Sequence, residues 1–255
     1  MKKYKDRHLY EDADHWRNLK LSQYQHERIN IIRETVPDEV TSIADIGCGN
    51  GIITNTLVDN RFVIGLDRSW AAIQFVHSNK CQAEINNIPL KNNSIDLVLC
   101  SEVLEHLTEP VLLKSIVELN RVAGKYLLIT VPNDEYLSKN HIKCPKCGFE
   151  YNASYHLQSF NKNKLLSLFP EYSEIKSFEC GKPVRQYVPF LLNIKQRVGK
   201  SWAQFSNEKT SICPKCSNRF LYIENKNIIS HICNGMNSLL SPRKPYWLGL
   251  LLKKN

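Results

Sequence analysis

Asp45-Ile46-Gly47-Cys48-Gly49-Asn50-Gly51 decides the fold of this chain, because it closes the short apolar run Thr41-Ser42-Ile43-Ala44 and turns at three glycines in five residues. The run reads as a strand, and Ile52–Val58 beyond the turn suits the opening of a helix. Glycines at such a turn let the backbone pass close to a ligand without a Cβ clash. In open α/β sheets ligands bind outside the carboxyl ends of the strands, where this turn sits. The spacing is G-x-G-x-G with an aspartate two residues ahead, unlike the G-x-G-x-x-G of nicotinamide enzymes.

Working outward, strands and helices alternate. Upstream, Leu9–Val36 carries an imperfect apolar stripe (Trp16, Leu19, Tyr24, Ile29, Ile31, Ile32) and is predicted helical, ending at Pro37. Downstream, Arg61–Leu66 is a second strand stopping at Asp67, and Ala71–Ser78 reads as a helix. A weaker strand lies around Cys81–Ile85. Ile95–Cys100 is the fourth, helical Val111–Asn120 follows, and Lys125–Val131 is the fifth. Helical Asn163–Phe169, a strand over Tyr172–Phe178 and an apolar closing strand over Tyr246–Leu252 complete the series. Such alternation implies an α/β fold with a mostly parallel, seven-stranded sheet flanked by helices.

These residues resemble motif I of the class I S-adenosylmethionine-dependent methyltransferases, of the type 11-like branch, and the likeness continues in order along residues 40–133. The resemblance implies a Rossmann-like methyltransferase fold that binds S-adenosylmethionine. It places Asp45, Gly47, Cys48 and Gly49 around the cofactor, with Asp67 holding the two ribose hydroxyls. It also implies that Arg68, Ile85 and Ser101 line the same site. Glu84, where the family usually has Asp, is expected near the adenine amino group, and the longer side chain is a departure from the pattern. A methyl group made electrophilic by a sulfonium needs alignment rather than a covalent enzyme intermediate, so Cys48, Cys81 and Cys100 read as small core residues.

After the fourth strand come Glu102, Glu105 and His106. In a helical turn their spacing puts all three on one face, and they are the candidate catalytic residues. Two uses stay open. With His156, the cluster is similar to the Mg2+ sites of metal-dependent O-methyltransferases, where the ion lowers the pKa of a substrate hydroxyl. Alternatively, the histidine lines the pocket without a metal, as in many relatives that carry E-H-L here.

Cys144-Pro145-Lys146-Cys147 and Cys213-Pro214-Lys215-Cys216 are two knuckles with one internal sequence. Each presents two thiolates, and together they complete a tetrahedral site. Structural Zn2+ is expected, with rubredoxin-like iron as the alternative. His231 and Cys233 are read as ordinary residues of the same region. The expected organisation is an N-terminal helical segment (1–40), the cofactor-binding core (41–138) and a first zinc-knuckle insertion (139–160). The core then continues (161–180), and a second insertion with a knuckle (181–243) precedes the closing strand (244–255). One zinc joining the insertions would make a zinc-knuckle cap that shapes the acceptor pocket.

Composition narrows the class. In 255 residues, 42% are hydrophobic, enough for a sizeable core. No apolar run reaches membrane-spanning length and the charged Met1–Asp6 leads into no signal sequence, so a cytoplasmic protein is expected, in which paired C-x-x-C spacings bind metal rather than form disulfides. The formal charge of +9 favours an anionic partner or a simple basic surface. The leading expectation is O-methylation of a small-molecule or glycan acceptor. An RNA methyltransferase is the second, although no Asn-Pro-Pro-Tyr-like signature follows the fourth strand, and a catalytically silent binding protein is the third. No feature of the sequence fixes an oligomeric state.

Overall fold

The computed structural model describes residues 10–11, 13–17, 19–203 and 209–255. By its internal contacts the chain divides into two compact units. The larger, spanning 7–133, 160–182 and 245–255, is the α/β core.

Its sheet contains β1 (Ser42–Ile46), β2 (Phe62–Asp67), β3 (Asn79–Gln82), β4 (Ile95–Ser101), β5 (Ala123–Pro132), β6 (Tyr172–Cys180) and β7 (Trp247–Lys254). The spatial order is β3-β2-β1-β4-β5-β7-β6. The first five are parallel, while β7 runs antiparallel to both neighbours. This is the Rossmann-like, mostly parallel arrangement read from the alternation of elements. Strands covered on both faces are apolar throughout, and Ile43, Ala44, Leu97, Val98, Leu99, Leu127, Leu128 and Ile129 are all fully buried. Each large aliphatic side chain so buried contributes about 1.5–3 kcal/mol.

The helices differ from expectation in length. Among its described residues the Leu9–Val36 segment includes α1 (Ala13–Arg17) and α2 (Gln23–Thr35), and Leu9 lies outside those residues. Ser22 starts α2 with a capping box to Gln25. The helix ends before Pro37, whose ring forces Val36 into extended backbone. Where Ile52–Val58 was expected to open a helix there is one tight turn, Thr54–Thr56. Five β-branched residues in that segment disfavour the helix, and the Asn55 side chain is spent on the Phe75 carbonyl and the His77 amide. The Ala71–Ser78 helix is likewise a single turn, α3 (Trp70–Ile73). In contrast α4 (Glu109–Val122) is longer than predicted and lays Leu112, Ile116 and Leu119 on the core. Next in the core comes α5 (Lys162–Ser167).

The described residues of the smaller unit lie within Asp134–Ser159 and Pro183–Lys244. It holds two hairpins, His141–Lys143 with Glu150–Asn152 and Lys209–Ile212 with Arg219–Tyr222. It also holds α6 (Pro189–Asn193), which runs on into a wider turn at Ile194–Val198, and α7 (Ile228–Leu240). No helix is expected from the sequence over the α7 stretch, although Ile228, Ile232, Met236 and Leu239 recur there at helical spacing. Among the described residues, no helix is long and apolar enough to cross a membrane.

Trp247 and Asn133 tie the carboxyl end of β5 into the core. Trp247, which starts β7, pairs with Pro132 at the end of β5 and with Cys180 at the end of β6. Asn133 bridges Phe160 where the chain re-enters the core. This is the carboxyl edge of β5, the edge that also carries the glycine turn after β1.

Formal charge divides unevenly. Residues 134–159 and 183–244 hold 13 Lys and Arg against 5 Asp and Glu, a formal +8, whereas the core segments hold 18 against 19.

Gly249 faces Phe178 across the β6–β7 ladder, and a Cβ there would sit 2.1 Å from the ring. Gly249→Ala should therefore cost about 1–3 kcal/mol through forced repacking. Urea unfolding will read this loss, and Phe178→Ala in the same chain should recover part of it.

Candidate active site and four-cysteine cluster

The glycine turn is fixed from both sides. Gly47, Gly49 and Gly51 all have positive φ (75°, 55° and 75°). A Cβ on Gly47 would lie 2.3 Å from Val103, so that position is closed to any other residue. Gly47 and Cys48 donate their amides to the Leu66 carbonyl at 2.7 and 3.1 Å, which ties the turn to the end of β2.

Asp67, ending β2, completes the tie. One oxygen accepts the Gly49 amide at 2.9 Å and the other the Ser69 amide at 2.7 Å. Burial pushes its pKa up against these two bonds. Ser69 caps α3 and donates its hydroxyl to the Tyr10 carbonyl at 2.6 Å. Trp16 bonds the same carbonyl from its indole N–H and lays its ring against Gly49. Arg68 stacks over Tyr10 at 5.2 Å. The segment around α1 thus covers the glycine turn.

Asp45 lies beneath the turn, fully buried, with the Thr54 hydroxyl donating to it at 2.7 Å. Burial pushes its pKa up to about 6. Burial also pushes the Cys48 and Cys100 thiols well up, so neither supplies a thiolate near neutrality. Glu84 stands in a tight turn whose carbonyl accepts the Asn87 amide, and Ile85 packs against the core beside it.

At the end of β4, Ser101 shares a 2.7 Å hydrogen bond with Thr130 and accepts another from Arg28 at 3.1 Å. Glu102 then adopts φ 58°, so the expected helical turn does not include it. The single turn that follows is Leu104–His106. Glu102 accepts the Trp247 indole N–H at 2.6 Å and faces Arg28 at 3.5 Å, while Arg28 stacks over Trp247 at 4.6 Å. Left-handed backbone at a bulky residue is held by surrounding contacts, here the Glu102 amide bonded to the Thr130 carbonyl. Glu105 is buried, and the His106 ring meets Tyr10 edge-on at 6.3 Å. Glu102, Glu105 and His106 belong to the core unit.

His156 belongs to the smaller unit, where its Nδ1 is hydrogen-bonded to Glu135. Burial opposes ionisation of Glu135, but His156, Asn140 and Asn152 outweigh it and hold the carboxyl below its ordinary value.

The four cysteines Cys144, Cys147, Cys213 and Cys216 do come together, their sulfurs all within 4.8 Å of one another. Sγ of Cys144 is 3.7 Å from that of Cys216, and Cys147 is 3.6 Å from Cys213. A tetrahedron with metal–sulfur bonds of about 2.3 Å has edges of about 3.8 Å, so the set fits one tetrahedral ion. The two knuckles share a fold. Gly148 and Ser217, both at positive φ, donate their amides to the carbonyls of Cys144 and Cys213. Cys233 is buried on α7, and His231 is exposed there.

Sequence reasoning missed Arg28, Thr54, Ser69, Thr130 and Trp247. They carry ordinary residue types far apart in the chain, and only Trp247, an indole at the head of an otherwise aliphatic strand, offered a signal.

Comparison with known proteins bears on this site. Residues 44–127 match a family described as a methyltransferase domain. Over 101 residues the chain is 31% identical to an uncharacterized protein of Methanocaldococcus jannaschii. That match spans 38% of this chain and 44% of the other, less than half of the relative's length. Among solved structures, the fold is similar to a SAM-dependent methyltransferase from Archaeoglobus fulgidus (TM-score 0.55, 15% identity, covering 90% of this chain and 94% of that one). It is also similar to the N-methyltransferase NodS of Bradyrhizobium japonicum, solved with S-adenosyl-L-homocysteine (TM-score 0.55, 13% identity, covering 97% and 95%). At such identities these likenesses speak for the fold.

Asp45 makes stability depend on pH. With its pKa raised to about 6, the folded chain holds that proton more tightly than the unfolded chain, so stability falls as pH rises from about 4 to 6. Asp45→Asn should remove roughly 2–3 kcal/mol of that fall. Thermal unfolding of both proteins without ligand, compared at pH 4 and pH 7, will measure it.

Proposed function

We propose that the protein transfers a methyl group from S-adenosylmethionine to a hydroxyl of a small molecule or glycan, a reading supported by the match of residues 44–127 to a methyltransferase domain. The supporting observation is the double grip of Asp67 on the amides of Gly49 and Ser69, which holds a carboxylate rigidly beside a glycine-walled crevice. Each of its oxygens keeps a lone pair for a further donor, which suits the vicinal hydroxyls of a ribose. In this reading Gly47, Cys48 and Gly49 lie along the cofactor, Asp45 supports the turn from below, Glu84 and Ile85 take the adenine, and Arg68 and Ser101 border the site.

S-adenosylmethionine supplies a methyl group already activated by its sulfonium. The chain's task is to align the acceptor oxygen behind that methyl and to take up the acceptor's proton. His106, beyond the end of β4, is the residue we assign to the proton, with Glu105 next to it in the chain. Glu102 is engaged by Trp247 and Arg28, which supports a positioning role.

We assign the four cysteines to a structural Zn2+. Four thiolates fill its coordination sphere and leave no position for catalysis. The smaller unit is inserted in the chain after β5 and before β7, which supports giving it the choice of acceptor. RNA is the second reading, favoured by the formal +8 of that unit.

Titration calorimetry with S-adenosylhomocysteine tests the cofactor assignment. Wild type should bind, and Asp67→Ala should weaken binding by roughly 10- to 100-fold through loss of charge-assisted hydrogen bonds. Absence of heat with the wild type would defeat the enzyme reading. Elemental analysis should find one zinc per chain, lost in Cys213→Ser, while cofactor binding persists.

A further inference from the structure

α7 is folded inside out. A surface helix ordinarily turns its apolar stripe inward and its polar face to water. Here the side chains turned inward are Ile229, Ser230, Cys233, Asn234 and Asn237, and three of these five are polar. Ile228, Ile232, Met236 and Leu239, spaced four, four and three residues apart, lie on the opposite face and are exposed, with Ile228 at 75% and Leu239 at 87%.

Specific hydrogen bonds set this orientation. Asn237 accepts the Val188 amide at 2.8 Å and donates to the Gln186 carbonyl at 2.9 Å. Asn234 accepts the Tyr187 hydroxyl at 2.8 Å, Ser241 donates to Gln186, and Asn227 caps the first turn with Ser230. Rolling the helix to bury its apolar stripe would break all of these and leave buried amides unpaired, at about 1–3 kcal/mol for each. Neighbouring segments packed beside α7 add exposed apolar groups, Phe190 on α6 and Val198 in the turn that follows it.

We infer that this face of α7 docks on an anionic membrane surface. Charge selects that occupant: α7 belongs to the unit of formal +8, with exposed Lys226 just ahead of the helix and Arg243 just after it. An amphipathic helix whose apolar face enters the headgroup boundary, in a basic surrounding attracted to anionic lipid, meets the requirements of interfacial binding. Pairing with a second copy would set two surfaces of formal +8 against each other. A nucleic acid would use the charge but not the stripe, since Ile228, Ile232, Met236 and Leu239 offer no aromatic ring for bases to stack on.

Flotation of the full chain with lipid vesicles tests the inference, and its readout is independent of methyl transfer and of cofactor binding. Wild type should float with vesicles of equal parts phosphatidylcholine and phosphatidylglycerol, far less with phosphatidylcholine alone, and less as salt rises. Ile232→Asp with Met236→Asp should lower partitioning roughly tenfold or more. Zinc content and S-adenosylhomocysteine affinity, unchanged in this variant, certify its fold, and Ser238→Ala on the same helix should bind vesicles as wild type does. Failure of the wild type to bind either vesicle overturns the proposal. So does equal binding by the double variant, or a salt-stable dimer that the double variant dissociates. Loss of RNA binding in that variant without vesicle binding by the wild type would assign the face to nucleic acid instead.

Discussion

Asp67 holds the site together. Its two oxygens take amides from opposite directions, Gly49 from the turn after β1 and Ser69 from the start of α3. A buried carboxylate would otherwise be costly, and burial does raise its pKa. The two N–H donors offset that cost and convert one side chain into a joint between two parallel strands. Asp45 ties β1 to the turn that follows it by accepting the Thr54 hydroxyl. The glycine turn is therefore shaped by its carboxylates as much as by its glycines.

A second joint closes the other side of the carboxyl edge. Glu102 at the end of β4, Arg28 on α2 and Trp247 at the head of β7 form one stacked, hydrogen-bonded group. It links an early helix, a central strand and the last strand of the chain. Strained backbone at Glu102 is the price of placing its carboxylate there.

What the sequence made legible follows from what kind of signal each element carries. β1, β2, β4, β5 and β7 are buried on both faces, so unbroken aliphatic runs mark them, and the sheet could be read with its closing strand. Paired C-P-K-C units mark the knuckles equally well, and their four sulfurs come together. Helices were harder. The segment after Gly51 has the place of a helix but not the residues, since its side chains are spent on Asp45, Phe75 and His77. Glu102 could not be separated from Glu105 and His106 by spacing alone; a single left-handed residue divides them. α7 was missed although its apolar residues recur at helical spacing, because Ser230, Asn234, Gly235, Asn237 and Ser238 are weak helix formers.

The cysteine pairing has a topological consequence. Cys147 and Cys213 stand 66 positions apart, and the intervening chain includes α5 and β6 of the core. A metal bridging them would close a ring of chain that includes those two elements. Closing so long a ring lowers the entropy of the unfolded chain by more than a short one would, though only logarithmically with length. During synthesis the last ligand, Cys216, is made before β7, so the clasp is complete while the sheet still lacks the strand that β5 and β6 share. Metal capture would then tether β6 near its final place and leave a gap of one strand's width for the chain's last residues to fill.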